Sequence, residues 1–188
     1  MNHQQRLQLI EHQSRAFTEG TVEYINDEWI FFDEEGDEAI LLNQYVTEEV
    51  EVLRANKWVR GILQQDATVQ LKGTTISLQD NDQLRIRKHL IYSLEILLEE
   101  IDDDAFIQFI TTLNSMNFSI YDCIYCHNHL AYLQNYSIKQ GFNILIFDNS
   151  ENVCAVHHHF SYGKKKQDRF EYTLNTGKRI VIEKFNRK

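Results

Sequence analysis

Between residues 15 and 87 apolar and polar positions alternate. Val69 and Leu71, then Ile76 and Leu78, then Leu84 and Ile86 recur at every second residue, with Lys72-Gly73-Thr74 and Asp80-Asn81-Asp82 between them. Side chains along a strand point to opposite faces in turn, so period two with short polar turns predicts half-buried antiparallel strands. The preceding stretch, GTVEYINDEWIFFDEEGDEAILLNQY, reads as strand, Asn-Asp turn, strand, Glu-Gly-Asp turn, strand. The two stretches look like weak copies, with Gly20-Thr21-Val22 opening one and Gly61-Ile62-Leu63 the other. Two halves of one barrel and two small β units are both open on this pattern. Ahead of them, Leu7, Leu9 and Ile10 give residues 2–13 the apolar positions of a short amphipathic helix.

At Lys88 the period changes. KHLIYSLEILLEEI places Leu90, Ile91, Leu94, Leu97, Leu98 and Ile101 on one stripe, the mark of a helix. Asp102-Asp103-Asp104 then ends it and is placed to cap the next helix, AFIQFITTLNSM, because carboxylates accept from the free N–H groups of a helix start. Ser119-Ile120-Tyr121-Asp122 is an S-x-x-D capping signal and predicts a third helix running to about Tyr136. Four strands are expected after it, near 142–148, 153–162, 168–174 and 178–185. The chain thus reads as α+β: a barrel-like antiparallel β module with a short N-terminal helix over residues 1–87, then three helices on a four-stranded antiparallel sheet over 88–188.

Composition narrows the function classes. The chain has 188 residues and no proline, so its turns rest on Gly, Asn and Asp. The N-terminus has no apolar signal segment, and no apolar run reaches the roughly 18 residues of a membrane helix. With three cysteines and no secretory context, we expect a cytoplasmic protein with reduced thiols and no membrane. The net charge of −9 is uneven: residues 1–87 carry 16 acids against 8 bases, and residues 139–188 carry 5 against 10. An acidic body repels phosphate, which argues against nucleic acid as a partner.

Candidate chemistry gathers in YDCIYCHNHLAY. Cys123-Ile124-Tyr125-Cys126-His127 spells C-x-x-C-H, but haem attachment needs an exposed loop and export, and neither is expected. On a helix, Cys123, Cys126 and His127 would share a surface, and strand parity in VCAVHHHF puts Cys154 and His158 on one face and His157 and His159 on the other. A zinc site would therefore combine Cys123 and Cys126 or His127 with Cys154 and His158, if the helix packs on that strand. The same junction could house a thiol nucleophile, Cys123, with a histidine base, although Asp122 opposes thiolate formation. Core packing of all three cysteines is the simpler expectation, with no metal and no cofactor. No Walker, G-x-S-x-G or G-x-G-x-x-G pattern occurs. Lys164-Lys165-Lys166 reads as a solubilising hairpin tip.

Trp29, Phe31 and Phe32 cannot all face inward from one strand, and acids surround them. Trp29 and Phe31 are thus either candidate contacts for a protein partner, with a basic peptide fitting the charge, or aromatics covered by the first helix or the second domain. The texture of GTVEYINDEWIFFDEEGDEAILLNQY and VCAVHHHFSYGKKK resembles a family of uncharacterised small proteins of Bacillus-type Firmicutes; the resemblance spans the chain and implies no activity. The N-terminal meander is similar to SH3-like barrels, whose fold alone assigns no function. The expectation is a non-enzymatic protein-binding or regulatory module. The alternative is an enzyme or metal-binding protein with a Cys/His site between the third helix and the 153–162 strand. The oligomeric state is left open.

Overall fold

The alternation in the first region becomes an eight-stranded antiparallel sheet. The computed structural model describes residues 1–36 and 38–185, the side chains of residues 184 and 185 excepted. It divides into two compact units, Ala16–Lys88 and Met1–Arg15 with His89–Lys188. In the first, β1 (Phe17–Ile25), β2 (Glu28–Asp33), β3 (Ala39–Leu41), β4 (Glu49–Arg54), β5 (Lys57–Gln64), β6 (Thr68–Gln70), β7 (Thr75–Ser77) and β8 (Asp82–Arg87) follow the spatial order β3-β2-β1-β8-β4-β5-β6-β7. Two hairpins close through Asn26-Asp27 and Ala55-Asn56, all four residues at positive φ. That matches the two-residue turns whose twist suits paired strands.

The strand order is symmetric about the β8–β4 contact, so β1, β2 and β3 correspond to β5, β6 and β7. The two glycines of the sequence copies occupy equivalent places. A Cβ on Gly20 would lie 2.0 Å from the Phe32 carbonyl oxygen, and one on Gly61 would lie 2.7 Å from that of Gln70. The inward parity of the strands gathers Val22, Phe31, Val50, Val52, Leu63, Val69, Leu84 and Ile86 into one core. On the other parity a row of alternating charge crosses four strands: Glu19 pairs in register with Arg85, Arg85 with Glu51, and Glu51 with Arg60. Arg85 Nε donates to Glu51 Oε2 at 2.7 Å, and its guanidinium lies over the Phe17 and Trp58 rings.

The second unit holds α1 (His3–Glu11), α2 (Tyr92–Glu100) and α3 (Asp103–Ser115), with β9 (Cys123–His127), β10 (Lys139–Asp148), β11 (Val153–Tyr162), β12 (Lys166–Leu174) and β13 (Arg179–Phe185). The strands form an antiparallel sheet in the order β13-β12-β11-β10-β9, five rather than four. Helix α1 belongs to this unit and not to that of the β strands with which its sequence position grouped it. Asn2 and Gln5 cap it reciprocally. Arg6 ties it down: its guanidinium donates to the Leu98 and Ile101 carbonyls at 2.6 and 2.8 Å and to Asp103 at 2.6 and 3.0 Å. Asp102 and Asp103 of the acid triplet act through ion pairs. Asp102 makes no side-chain capping bond and instead accepts from Lys166 at 2.6 Å. Asp103 is held below the usual carboxylate range, first by the N-terminal ammonium and then by Arg6.

The predicted third helix is absent. Ser119 does form its capping box with Asp122, but the box opens a single 3-10 turn, Ile120–Asp122, and the chain then extends into β9. A second 3-10 turn covers Leu130–Leu133. Arg15 holds the first turn, donating to Asp122 at 2.6 and 2.7 Å. The core of this unit packs Leu94, Leu97, Phe106, Phe109 and Leu113 of the helices on Leu145, Phe147, Val156, Phe170 and Tyr172 of the sheet.

Candidate functional site

Strand β2 sorts its aromatics by parity. Phe31 is 0% exposed, packed under Gly20 and edge-on to Tyr45 at 6.1 Å. It is core, so the expectation of a docking role for Phe31 is corrected. Trp29 is half-buried and leans on Tyr24 across the β1–β2 hairpin, ring centroids 5.4 Å apart. Its ring walls a cavity of about 360 Å³ lying wholly within the unit Ala16–Lys88. Leu41, Leu42, Leu63 and Ala67 line its apolar part, while Asp27, Glu28 and Asp66 bring carboxyl groups to it. These pieces are far apart in sequence. They meet because the β1–β2 turn, the 3-10 turn Leu42–Tyr45 and the 3-10 turn Gln65–Ala67 lie at one end of the sheet. Asp66 and Ala67 both sit at positive φ, 57° and 50°, where non-glycine residues are uncommon.

Charge around this cavity differs from charge elsewhere on the unit. Glu19, Glu49, Glu51 and Asp82 each pair with an arginine. Among the described residues, no ion pair or hydrogen bond engages the carboxylates of Asp27, Glu28 or Asp66, and no basic residue lines the cavity. The unit as a whole has 15 acids against 7 bases, a net −8 of the chain's −9.

The C-x-x-C-H residues lie on β9. Strand parity alone would put Cys123 and Cys126 on opposite faces. A bulge at Ile124, where Tyr125 pairs Ile146 but Cys123 pairs Phe147, returns both thiols to the core side. His127 points the other way and is exposed. Cys154 and His158 do share a face, both 0% exposed, while His157 and His159 lie outside with Phe142. His158 is occupied: its Nε2 lies 2.8 Å from Asp168 Oδ1, its Nδ1 3.1 Å from Asn143 Nδ2, and its ring stacks on Phe170 at 4.3 Å. The Asn143 Oδ1 accepts from the backbone N–H groups of His129 and Leu130, so its amide N–H₂ faces the histidine. Nδ1 is therefore an acceptor, and Nε2–H donates to Asp168, which also accepts from Tyr162 Oη at 2.5 Å.

The proposed zinc ligands are thus dispersed, and among the described residues no group of three or more His, Cys, Asp or Glu side chains is arranged to hold a metal. Burial pushes the thiols up, Cys123 to about 12 and Cys126 and Cys154 to about 11. We expect all three to react with a disulfide reagent at pH 8 about a hundredfold or more slowly in the native protein than in denaturant. Their protons are held by the folded state and lost first by the unfolded chain, so stability is full below about pH 9 and falls as pH rises toward 11–12. A urea midpoint unchanged between pH 8 and 11 would contradict this.

Sequence reasoning singled out Trp29, which lines this cavity, but not Asp66 or Leu63, which line it too and which no local motif ties to Trp29. It also missed Asn143 and Asp168. Their signal was present, as polar residues at inward parity between apolar neighbours.

Among the described residues no helix is long and apolar enough to cross a membrane. A family model described as "Protein of unknown function (DUF2777)" matches residues 4–184. The chain is 29% identical over 179 residues to the "Uncharacterized protein YisN" of Bacillus subtilis (strain 168), covering 94% of this chain and 90% of that one. No solved structure matches. With nearly its whole length inside that model, and a Bacillus relative of the same extent, the chain belongs to the DUF2777 family.

Proposed function

We propose that the protein is a non-enzymatic binding module whose unit Ala16–Lys88 docks a segment of another protein at the Trp29 cavity. One observation carries the reading: an apolar cavity walled by an aromatic ring opens among carboxylates that no ion pair among the described residues neutralises. A cavity of about 360 Å³ is at the small end of binding pockets, suited to one anchoring side chain rather than to a nucleotide or an extended cofactor. Half-buried tryptophans in such settings are frequent binding anchors. An SH3-like reading of the meander fits the same role, although fold alone does not assign it. The Cys/His alternative called for a helix packed on the 153–162 strand, whereas residues 119–136 form 3-10 turns and β9, His127 lies on the outer face, and the core-facing His158 is engaged by Asp168 and Asn143.

The test is site-specific photo-crosslinking in the cells that make the protein. A benzoylphenylalanine at Gln65, exposed and lining the cavity, is expected to trap a discrete protein adduct. The adduct should fall about tenfold or more when Trp29→Ala is added, as truncating an aromatic anchor at an interface does. The same probe at Gln13, in the other unit, should not give that adduct. If the Gln65 adducts are unchanged by Trp29→Ala in a variant whose thermal transition is intact, the docking role is wrong.

A further inference from the structure

We propose that the Trp29 cavity selects the cationic side chain of an arginine or lysine in the docked segment; this deepens the function proposed above and rests on it. The charges of the unit support the choice. The long charged row Glu19, Arg85, Glu51, Arg60 is satisfied within the sheet and offers nothing to a partner. Asp27, Glu28 and Asp66 stand apart from it. They come from two separate turns, converge on one cavity, and have no basic partner among the described residues. A neutral apolar segment docking there would cover acids it could not pair, and burying an unpaired charge is costly.

A basic side chain answers both halves of the cavity. Its methylene stem can lie along Leu41, Leu42 and Leu63 while its charged end stays at the rim, the usual posture of long cationic residues. The indole of Trp29 is the aromatic ring that attracts cations best, and a guanidinium also stacks flat on it. Anionic partners are repelled: among the described residues no base lines the cavity, and the surrounding unit carries a net −8. The rim carboxylates are solvent-exposed, so their contribution is screened by salt and appears mainly as selectivity and a faster encounter.

The experiment uses the full chain, labelled with ¹⁵N, and four capped tripeptides of the form valine–X–valine, with X arginine, lysine, citrulline or norleucine. Citrulline keeps the shape of arginine without its charge. The arginine and lysine peptides are expected to move the Trp29 indole N–H and the Gln65 and Asp66 amides saturably. Citrulline and norleucine should bind about tenfold more weakly or not at all. Raising salt from about 0.05 to 0.5 M should weaken the cationic peptides severalfold. The combined variant Asp27→Asn, Glu28→Gln, Asp66→Asn should bring arginine down to the citrulline level. Equal shifts from arginine and citrulline would overturn the charge selection while leaving an apolar docking site. Flat titrations with all four peptides, alongside a Trp29-dependent crosslink at Gln65, would overturn the basic-side-chain inference alone. Flat titrations together with a crosslink indifferent to Trp29 would overturn both.

Discussion

Replacing Asp168 with alanine is expected to destabilise the unit Met1–Arg15 with His89–Lys188 by about 3–5 kcal/mol, read as a lower urea midpoint at 222 nm. All three described α-helices lie in that unit, so helical ellipticity reports it. Asp168 is 2% exposed, and a single carboxylate oxygen accepts from both His158 Nε2–H and Tyr162 Oη–H. Truncation strands two buried donors. Each stranded donor costs about 1–3 kcal/mol, and a small void adds to the loss. Asp168→Asn keeps an acceptor oxygen in place and should cost less than half as much. Tyr162→Phe removes one donor along with its need and should cost about 1 kcal/mol. Equal, small losses for Asp168→Ala and Asp168→Asn would mean the network is not holding this sheet together.

The second large effect belongs to the other unit. Gly20→Ala should lower its stability by about 3 kcal/mol or more, followed by tryptophan emission, since both Trp29 and Trp58 lie between Ala16 and Lys88. The added methyl would meet the Phe32 carbonyl oxygen at 2.0 Å and the Phe31 ring at 2.8 Å. Side chains can turn aside, but a paired strand's carbonyl cannot without breaking the β1–β2 ladder. Adding Phe31→Leu to Gly20→Ala should therefore recover little. Gly73→Ala makes the useful contrast. Nothing lies within 4 Å of that Cβ, and only its positive φ of 93° resists, for about 1–2 kcal/mol. If Gly20→Ala costs no more than Gly73→Ala, the close approach is not the reason for glycine at position 20.

These two sites also show what could be read from the chain. Parity along β11 sorted Cys154 and His158 inward and His157 and His159 outward, because an unbroken ten-residue strand keeps strict alternation. The stripe from Leu94 to Ile101 gave α2 for the corresponding reason at helical period. The stretch 119–136 misled for two physical reasons. Its capping box is real, but such a box satisfies any first turn and says nothing about the second. Then the bulge at Ile124 lets Cys123 and Cys126 face one way three residues apart, which imitates helical spacing on a strand. Bulges depend on the partner strand, so no local pattern announces them. The Trp29 cavity was half legible. The acidic aromatic run pointed to it, but whether Trp29 or Phe31 faces inward depends on register with β1, and Asp66 arrives from another hairpin altogether.

The eight-stranded unit is spliced into the middle of the other one, between Arg15 and His89. Its two ends already meet, with the Lys88 amide donating to the Ala16 carbonyl at 3.0 Å. During synthesis α1 leaves the ribosome first, yet its anchors, Leu98, Ile101 and Asp103, come only after the whole insert. Bringing the ends of a flexible loop that long together would cost roughly 4 kcal/mol. Once the insert has folded, that cost is already met, and α1 is delivered back beside the start of its own unit. Prior folding of the insert thereby lowers the entropic cost of closing its host around Arg6.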